Sequence, residues 1–385
     1  MSRREGNIAV IDIDSSRIKV VVANAGVNNS FVIKSSNEMK YDGFQEGRFL
    51  DEEALPGIIR QLVGSTIKHT RPKITQVYVN VPGDFTTVHV SNEKIEFEDL
   101  KEITPNDVQI IFERANKIST DKYTIINRSP VYYLVDGEKR VIKAIGESTR
   151  TLEACVSFVL AENYFINVID KILASVGLQA EYVSAAYSTA MYVFEPEIRD
   201  RYALLAQIGY ISSSVMLIRG DGLLFLKSFD CGDGNIAADI CEVLDTPFEV
   251  AEELKNKVNL SLTLDNDAEY TAKMDGKVVG YQATLVHDVV EQRIVIISNL
   301  IRDCLAQCRF PYPDYLPITI TGGSICNIKG AKEIISKELG KSVVLADPKV
   351  AYPVSHGDTA IYGLLSLAIQ HEVSKPQKKS LFRRR

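Results

Sequence analysis

Two like α/β lobes facing each other across a cleft, with a small α+β unit inserted in the first, are what this 385-residue sequence predicts. Three observations point there. The stretch "VIDIDSSRIKVVVANAG" and the later "LAQIGYISSSVMLIRGDG" share one design: an apolar strand, a polar residue near its end, a serine-containing turn and an apolar return strand. Between them, from about Gly83 to Phe165, the texture changes to short alternating strands around one amphipathic helix. Late in the chain, "ITITGGS" sets a glycine pair directly after a buried strand, where a turn without side chains lets a ligand lie against the backbone. Convergence of two ordinary hairpins is the alternative to duplication, and pattern alone leaves it open.

The elements follow in order. Val10, Ile11 and Ile13 read as a strand buried on both faces, and Ile18, Val20 and Val22 alternate in its return partner. "EEALPGIIRQLVGSTIK" is a helix with Leu55, Ile58, Ile59 and Leu62 on one stripe, and "QVYVNVPG" is the strand after it. In the insert, "TTVHV", "YTIINRSPVYYLVDG" and "LEACVSFVLA" are strands around the helix "PNDVQIIFERANKI", for which Thr104 is the N-cap and Asp107 lies in the first turn. The helix "ENYFINVIDKILASVG" stops at Gly177. After the second hairpin come the helical stretches "GNIAADICEVL" and "PFEVAEELKNKV", then a polar segment over residues 263–280 expected as a surface loop or small hairpin. The helix "HDVVEQRIVIISNLIRDCLAQC", the strand "PITITGG", the helix "GAKEIISKELG", the strand "VVLAD" and the helix "DTAIYGLLSLAIQ" complete the body.

Composition narrows the function. The formal charge of −6 and pI near 5.6 argue against nucleic acid as a partner. Charge is uneven: "KPQKKSLFRRR" holds six cations and no acid, so residues 1–374 carry −12. No secretory leader and no apolar run of about 18 residues stands out, which places the body in the cytosol as an expectation. The six cysteines form no C-x-x-C pair and no His accompanies Cys304 and Cys308, so they read as buried thiols rather than zinc ligands. His287 and His356 have no nucleophile and acid around them and read as structural or surface residues, and "NRS" at Asn127 carries no meaning as a glycosylation sequon in such a protein.

Two opposed hairpins can clamp a polyphosphate. Turn amides and hydroxyls bind phosphate oxygens, and a carboxylate at the strand end holds the counter-ion. Asp12 is where an acid that orients Mg²⁺ would sit, with Gln207 in the matching place of the second hairpin. Asp14 is the anomaly. Pointing inward it would face a polyanion, at a cost on the order of 4 kcal/mol for like charges about 4 Å apart, roughly a thousandfold in affinity. Arg17 or Mg²⁺ would offset that, or Asp14 points away.

The ordered set "IDIDSSRI", "DVQIIFERA", "SPVYYLVDG", "LIRGDGLL", "CGDGNIAADI", "VAEELKNKV" and "ITITGGSICNIKGAKEI" resembles the bacterial cell-division protein FtsA over residues 8–370. The resemblance implies an actin-like (ribonuclease H-like) duplicated two-lobe fold, with an insert early in the chain in place of an actin subdomain. It also implies ATP and Mg²⁺ as ligands. The family's first phosphate motif falls on Asp12, Ile13, Asp14, Ser15, Ser16 and Arg17, without its glycine; the second falls on Gln207, Ile208, Gly209, Tyr210, Ile211, Ser212 and Ser213, without its aspartate. Gly232 opens the next glycine-rich run, the nucleoside-contacting helix keeps Glu252 and Lys255, and the purine-side glycines stand at Gly322 and Gly323 before Ser324. The missing acid at Gln207 removes a charge that would orient metal and attacking water, so at most weak ATP turnover is expected.

The resemblance also implies an organisation and partners. Residues 1–82, 166–200 and 355–373 are expected to form the first lobe, 83–165 the insert, 201–239 and 316–354 the second lobe, 240–315 a subdomain over the cleft and 374–385 a basic tail. Arg293 resembles the arginine near the groove that receives the C-terminal peptide of FtsZ. Leu381, Phe382, Arg383, Arg384 and Arg385 stand where the family places a membrane-lying helix; two apolar side chains among cations give attraction to anionic lipid rather than an anchor. Self-association, FtsZ and the inner face of the cell membrane at the division site are the expected partners and place. A non-polymerising platform of the pilus-assembly type and a small-molecule kinase of the same fold are the rivals, the latter poorly served by Gln207 and the insert.

Overall fold

The computed structural model describes residues 6–26, 30–68, 70–71, 73–119, 121–346 and 356–374. The chain starts in β1 (Ile8–Ile13), whose six residues are all buried. It returns in β2 (Arg17–Ala25), paired antiparallel from Ile8↔Ala23 to Ile13↔Ile18, and extends the sheet with β3 (Phe31–Lys40). A short hairpin of β4 (Phe44–Gln45) and β5 (Arg48–Phe49) leads to helix α1 (Leu55–Thr66). This helix buries Leu55, Ile59, Leu62 and Val63, while Ile58 of the expected stripe is only half-buried. Strand β6 (Gln76–Val81) then lies parallel to β1.

The inserted unit is a separate four-stranded sheet with one helix. Its strands are β7 (Thr86–Glu102), β8 (Tyr123–Val135), β9 (Lys139–Val141) and β10 (Ser148–Glu162), in the order β7-β10-β8-β9, and α2 (Pro105–Ala115) packs Ile111 and Ala115 against Ile95, Leu152 and Val156. Thr104 caps α2 in a full capping box with Asp107, whose carboxylate also accepts from Lys101 Nζ at 2.6 Å. Strand β10 ends at Glu162, and three residues on, Phe165 already packs in the first-lobe core.

Helix α3 (Asn163–Ser175), strand β11 (Gln179–Ser184) parallel to β6, and helices α4 (Ala185–Val193) and α5 (Pro196–Arg199) lead to the second lobe. There β12 (Ala203–Ile208), β13 (Ser213–Arg219) and β14 (Gly222–Phe229) form a meander. Helices α6 (Gly234–Leu244) and α7 (Phe248–Lys255), the hairpin β15 (Glu269–Met274) and β16 (Lys277–Gln282), and the long helix α8 (Ala283–Ala306) follow. The polar segment over 263–280 thus contains a hairpin strand, turning at Asp275 and Gly276, both with positive φ. Strand β17 (Ile318–Gly322), helix α9 (Ala331–Leu339), strand β18 (Val343–Leu345) and helix α10 (Thr359–Ser374) close the chain.

The two main sheets read β3-β2-β1-β6-β11 and β14-β13-β12-β17-β18. In each, three antiparallel strands are followed by two parallel ones, so the two hairpins occupy one position in a repeated topology. Independent convergence does not account for five strands matching in order and direction. The fold is a duplicated actin-like two-lobe α/β architecture with an inserted unit. Asp12 and Gln207 are each the penultimate residue of the first strand of their sheet. Helix α4 joins the lobes: Ala186 and Ala190 pack with Leu205 and Met216, while Ser188 bonds back to Asn80 of β6. Gly363 lets α10 cross α4 closely, because a Cβ there would meet the Ser188 carbonyl.

Burial opposes ionisation of Asp107, but the Lys101 ammonium and the Thr104 hydroxyl and amide hold its carboxyl down at about 2. Thr104→Ala is expected to cost about 1 kcal/mol, read as a lower urea midpoint with unchanged slope. The stability that Asp107 contributes is lost as pH falls from about 4 to about 2.

Candidate functional site

The C-terminal ends of β1 and β12 bring the two turns into direct contact. Ile211 N–H donates to Ser15 Oγ at 3.0 Å, and Ser212 Oγ donates to Asp84 Oδ2 at 2.5 Å. Beside them opens a cavity of about 420 Å³, within the range of roughly 300–1,000 Å³ usual for small-molecule sites. Of the residues singled out from sequence, Asp12, Ser16, Arg17, Gln207, Gly209, Ser212, Glu252, Lys255, Gly322, Gly323 and Ser324 line it. Ser15, Ser213 and Gly232, also expected to bind the ligand, do not line it. Ser15 holds the opposite turn, Ser213 donates to the Cys231 carbonyl at 2.6 Å, and Gly232 packs so closely beneath Gly209 and Tyr210 that a Cβ would strike their carbonyls.

The first turn is crowded with negative charge. Asp12 accepts from Asn80 Nδ2 at 2.8 Å, and that amide also reaches the Ala360 carbonyl at 3.1 Å. Burial, then the charge of Asp14, pushes the Asp12 carboxyl up to about 6, against the Asn80 bond. Asp14 lines the cavity and curls onto its own turn, accepting from the Ser15 N–H at 2.7 Å. Burial raises its pKa too, against that amide and the charge of Arg17. The Arg17 guanidinium is held elsewhere, on Asp358 at 2.8 Å and Glu38 at 2.9 Å. On the neighbouring strand end, burial pushes Asp84 up to about 7, opposed by the Ser212 hydroxyl and reinforced by Asp230.

The far end is different. Gly322 and Gly323 both take positive φ, 94° and 28°, a backbone open to glycine, and side chains there would meet the Ile208 carbonyl and the Asp233 carboxylate. Asp233 accepts from the Ser324 N–H. Lys255 is 1 % exposed and neutralised in place, 2.9 Å from Glu252 Oε1 and 4.0 Å from Asp233 Oδ1, while the Tyr210 hydroxyl donates to Glu252 at 2.8 Å. The Ser324 hydroxyl is buried without a hydrogen-bond partner among the described residues. An orphaned hydroxyl beside a side-chain-free turn suits a nucleoside's ring or sugar. For Mg²⁺ the fit is thinner: Asp12 is the expected acid, and among the described residues no group of three or more His, Cys, Asp or Glu is arranged to hold a metal.

Three site residues escaped the sequence reading of the site. Asp84 follows Pro82-Gly83 at the end of β6, which runs parallel to β1 and so delivers its end to the same place; that adjacency was its signal. Asp233 lay within the glycine-rich run already noted. Tyr210, in the turn between β12 and β13, lay within the second motif already noted, though not as a binding residue. Arg293 sits on α8, both nitrogens of its fork on Asp239 of α6 at 2.5 Å and a third 3.8 Å from Cys231 Sγ. His287 shares a bond of 2.7 Å with the Tyr270 hydroxyl, and the six cysteines are thiols outside any disulfide. The side chain of His356, and Leu381, Phe382, Arg383, Arg384 and Arg385, lie outside the described residues.

Residues 83–160 match the profile of the SHS2 domain inserted in FtsA. A cell division protein FtsA of Staphylococcus epidermidis is 24% identical over 351 residues, covering 88% of this chain and 74% of that protein. A Helicobacter pylori FtsA is 24% identical over 153 residues, 40% of this chain and 30% of that one. Among solved structures, the PilM–PilN type IV pilus biogenesis complex superposes with a TM-score of 0.59 at 17% identity, over 97% of this chain and 100% of that one. MreB5 of Spiroplasma citri bound to AMPPNP superposes with a TM-score of 0.55 at 11% identity, over 96% and 99%.

The raised carboxyls give the site a pH signature. The folded protein keeps protons on Asp12 and Asp84 up to about 6 and about 7, whereas the unfolded chain loses them near 3.8, the ordinary value for an aspartate. Stability contributed by these groups is therefore greatest at about pH 4 and is lost as pH rises through about 7. Chemical denaturation between those limits is expected to show this fall, and Asp84→Asn is expected to flatten it; an unchanged slope in the variant counts against the assignment.

Proposed function

We propose that this chain, an FtsA-like protein of actin-like fold, is a cell-division scaffold: it self-associates on the inner face of the cell membrane and ties FtsZ to that surface. The observation that carries this reading is the insert. A unit matching the SHS2 domain inserted in FtsA, over residues 83–160, hangs on the first of two duplicated lobes. An adenine nucleotide in the cleft would bias the angle between the lobes and hence the shape competent for assembly. Catalytic turnover is not needed for that role, and Gln207 supplies no acid to orient an attacking water.

Arg293 would meet FtsZ by exchanging one carboxylate partner for another. Its ion pair with Asp239 is partly exposed, with 21% and 24% of the two side chains open to solvent, so a partner's acid has access to it. The basic tail would supply membrane attraction of about 1 kcal/mol per cation near anionic lipid. A single tail binds weakly, and an assembly of many tails binds by avidity.

The purified chain is expected to pellet with FtsZ on anionic vesicles, and removal of residues 375–385 to lower the vesicle-bound fraction several-fold. If the full-length chain leaves FtsZ in the supernatant, the scaffold reading gives way to that of a platform for a different partner.

A further inference from the structure

The end of the cavity where a phosphate chain would lie is supplied with anions by the protein itself. A triphosphate needs free amides, hydroxyls and cations in the two turns. Here the Ser15 N–H is taken by Asp14, the Ile211 N–H by Ser15 Oγ, and the Ser212 hydroxyl by Asp84. The Ser213 and Ser214 hydroxyls are engaged with the Cys231 carbonyl and Ser228, and Arg17 is engaged with Asp358 and Glu38. Asp14 stands where the loop would otherwise offer its amide to a phosphate oxygen. The opposite end is different: it has the glycine pair, a Ser324 hydroxyl with no hydrogen-bond partner among the described residues, and a buried lysine set against two carboxylates, Glu252 and Asp233.

From this asymmetry we propose that the cavity takes a nucleoside, or a nucleoside with one phosphate, in preference to a triphosphate, and that Asp14 and Asp84 set this preference. The inference rests on the reading of the cleft as a nucleotide site and inverts the order of ligands that the fold would suggest. Each added phosphate must displace a carboxylate from its own donor and then stand beside Asp12, Asp14 and Asp84 with the turn's cation held aside. Like charges at such range repel strongly in a partly buried site. Burial, with Asp14 beside Asp12 and Asp230 beside Asp84 adding to it, raises both carboxyls, so this end of the cavity accepts further charge poorly.

Calorimetry on the full chain with adenosine, AMP, ADP and ATP, with and without Mg²⁺, tests this. The expected order is adenosine or AMP tightest and ATP at least tenfold weaker in both conditions. In Asp14→Asn/Asp84→Asn, ATP affinity is expected to rise at least tenfold while that for adenosine stays within twofold. Native protein that binds ATP with Mg²⁺ more tightly than AMP overturns the proposal, whether or not the double variant folds. A native order as expected that survives in a folded double variant overturns the assignment to Asp14 and Asp84. If no ligand binds to the native chain or to a folded double variant, the nucleotide reading itself falls, and with it this one.

Discussion

A turn at the end of a strand buried on both faces sits where water is scarce, so each of its polar groups must be satisfied by the chain or by a ligand. Two such turns abut here, at Ser15 and at Ile211, and the hydrogen bond between them is the short link around which the cleft is arranged. The lobes meet because β1 and β12 end at the same place. The cavity exists because the strands beside them, β6 and β17, stop at the same level and leave Gly83 and Gly322 as its floor and wall. Charge in this gap is correspondingly expensive, which is why acids there keep their protons to unusual pH and why the buried lysine is bracketed by two carboxylates.

The same constraint distinguishes the two ends of the cavity. At the Ser15 end, donors are consumed internally, the Ser15 N–H by the adjacent Asp14 and the Ser212 hydroxyl by Asp84 from a distant strand end; at the Gly323 end, a hydroxyl is left over and a cation is pre-neutralised. Geometry shared with other two-lobe proteins therefore does not by itself decide what lies in the cleft. The backbone supplies the frame, and the few side chains at the turns supply its chemistry.

Much of the frame was legible in residue order. Alternation and burial in "VIDIDSSRIKV" and its counterpart announce two hairpins, and Thr104 with Asp107 announces a helix start because capping is local chemistry. What the sequence left open depends on neighbours far along the chain. Asp14 chooses its own turn's amide, Arg293 finds Asp239 on another helix, and Asp84 arrives in the cleft only because β6 pairs with β1. The engagement of the Arg17 guanidinium follows from Asp358, a residue close to it in space and more than three hundred positions away in sequence. Periodicity reports which face of an element is wet; it does not report which partner waits there.

Helix α4 gives the molecule an axle. One side of it lies in the apolar seam with Leu205 and Met216, and the other is clasped by Asn80 and by α10, which passes at glycine distance over Ser188. Swinging one lobe about this rod would keep both of its sides covered, whereas sliding one lobe past the other would strip the seam and drive the Gly363 crossing into a steric stop. Opening and closing by rotation is thus the low-cost motion of this architecture, and translation is the one it resists.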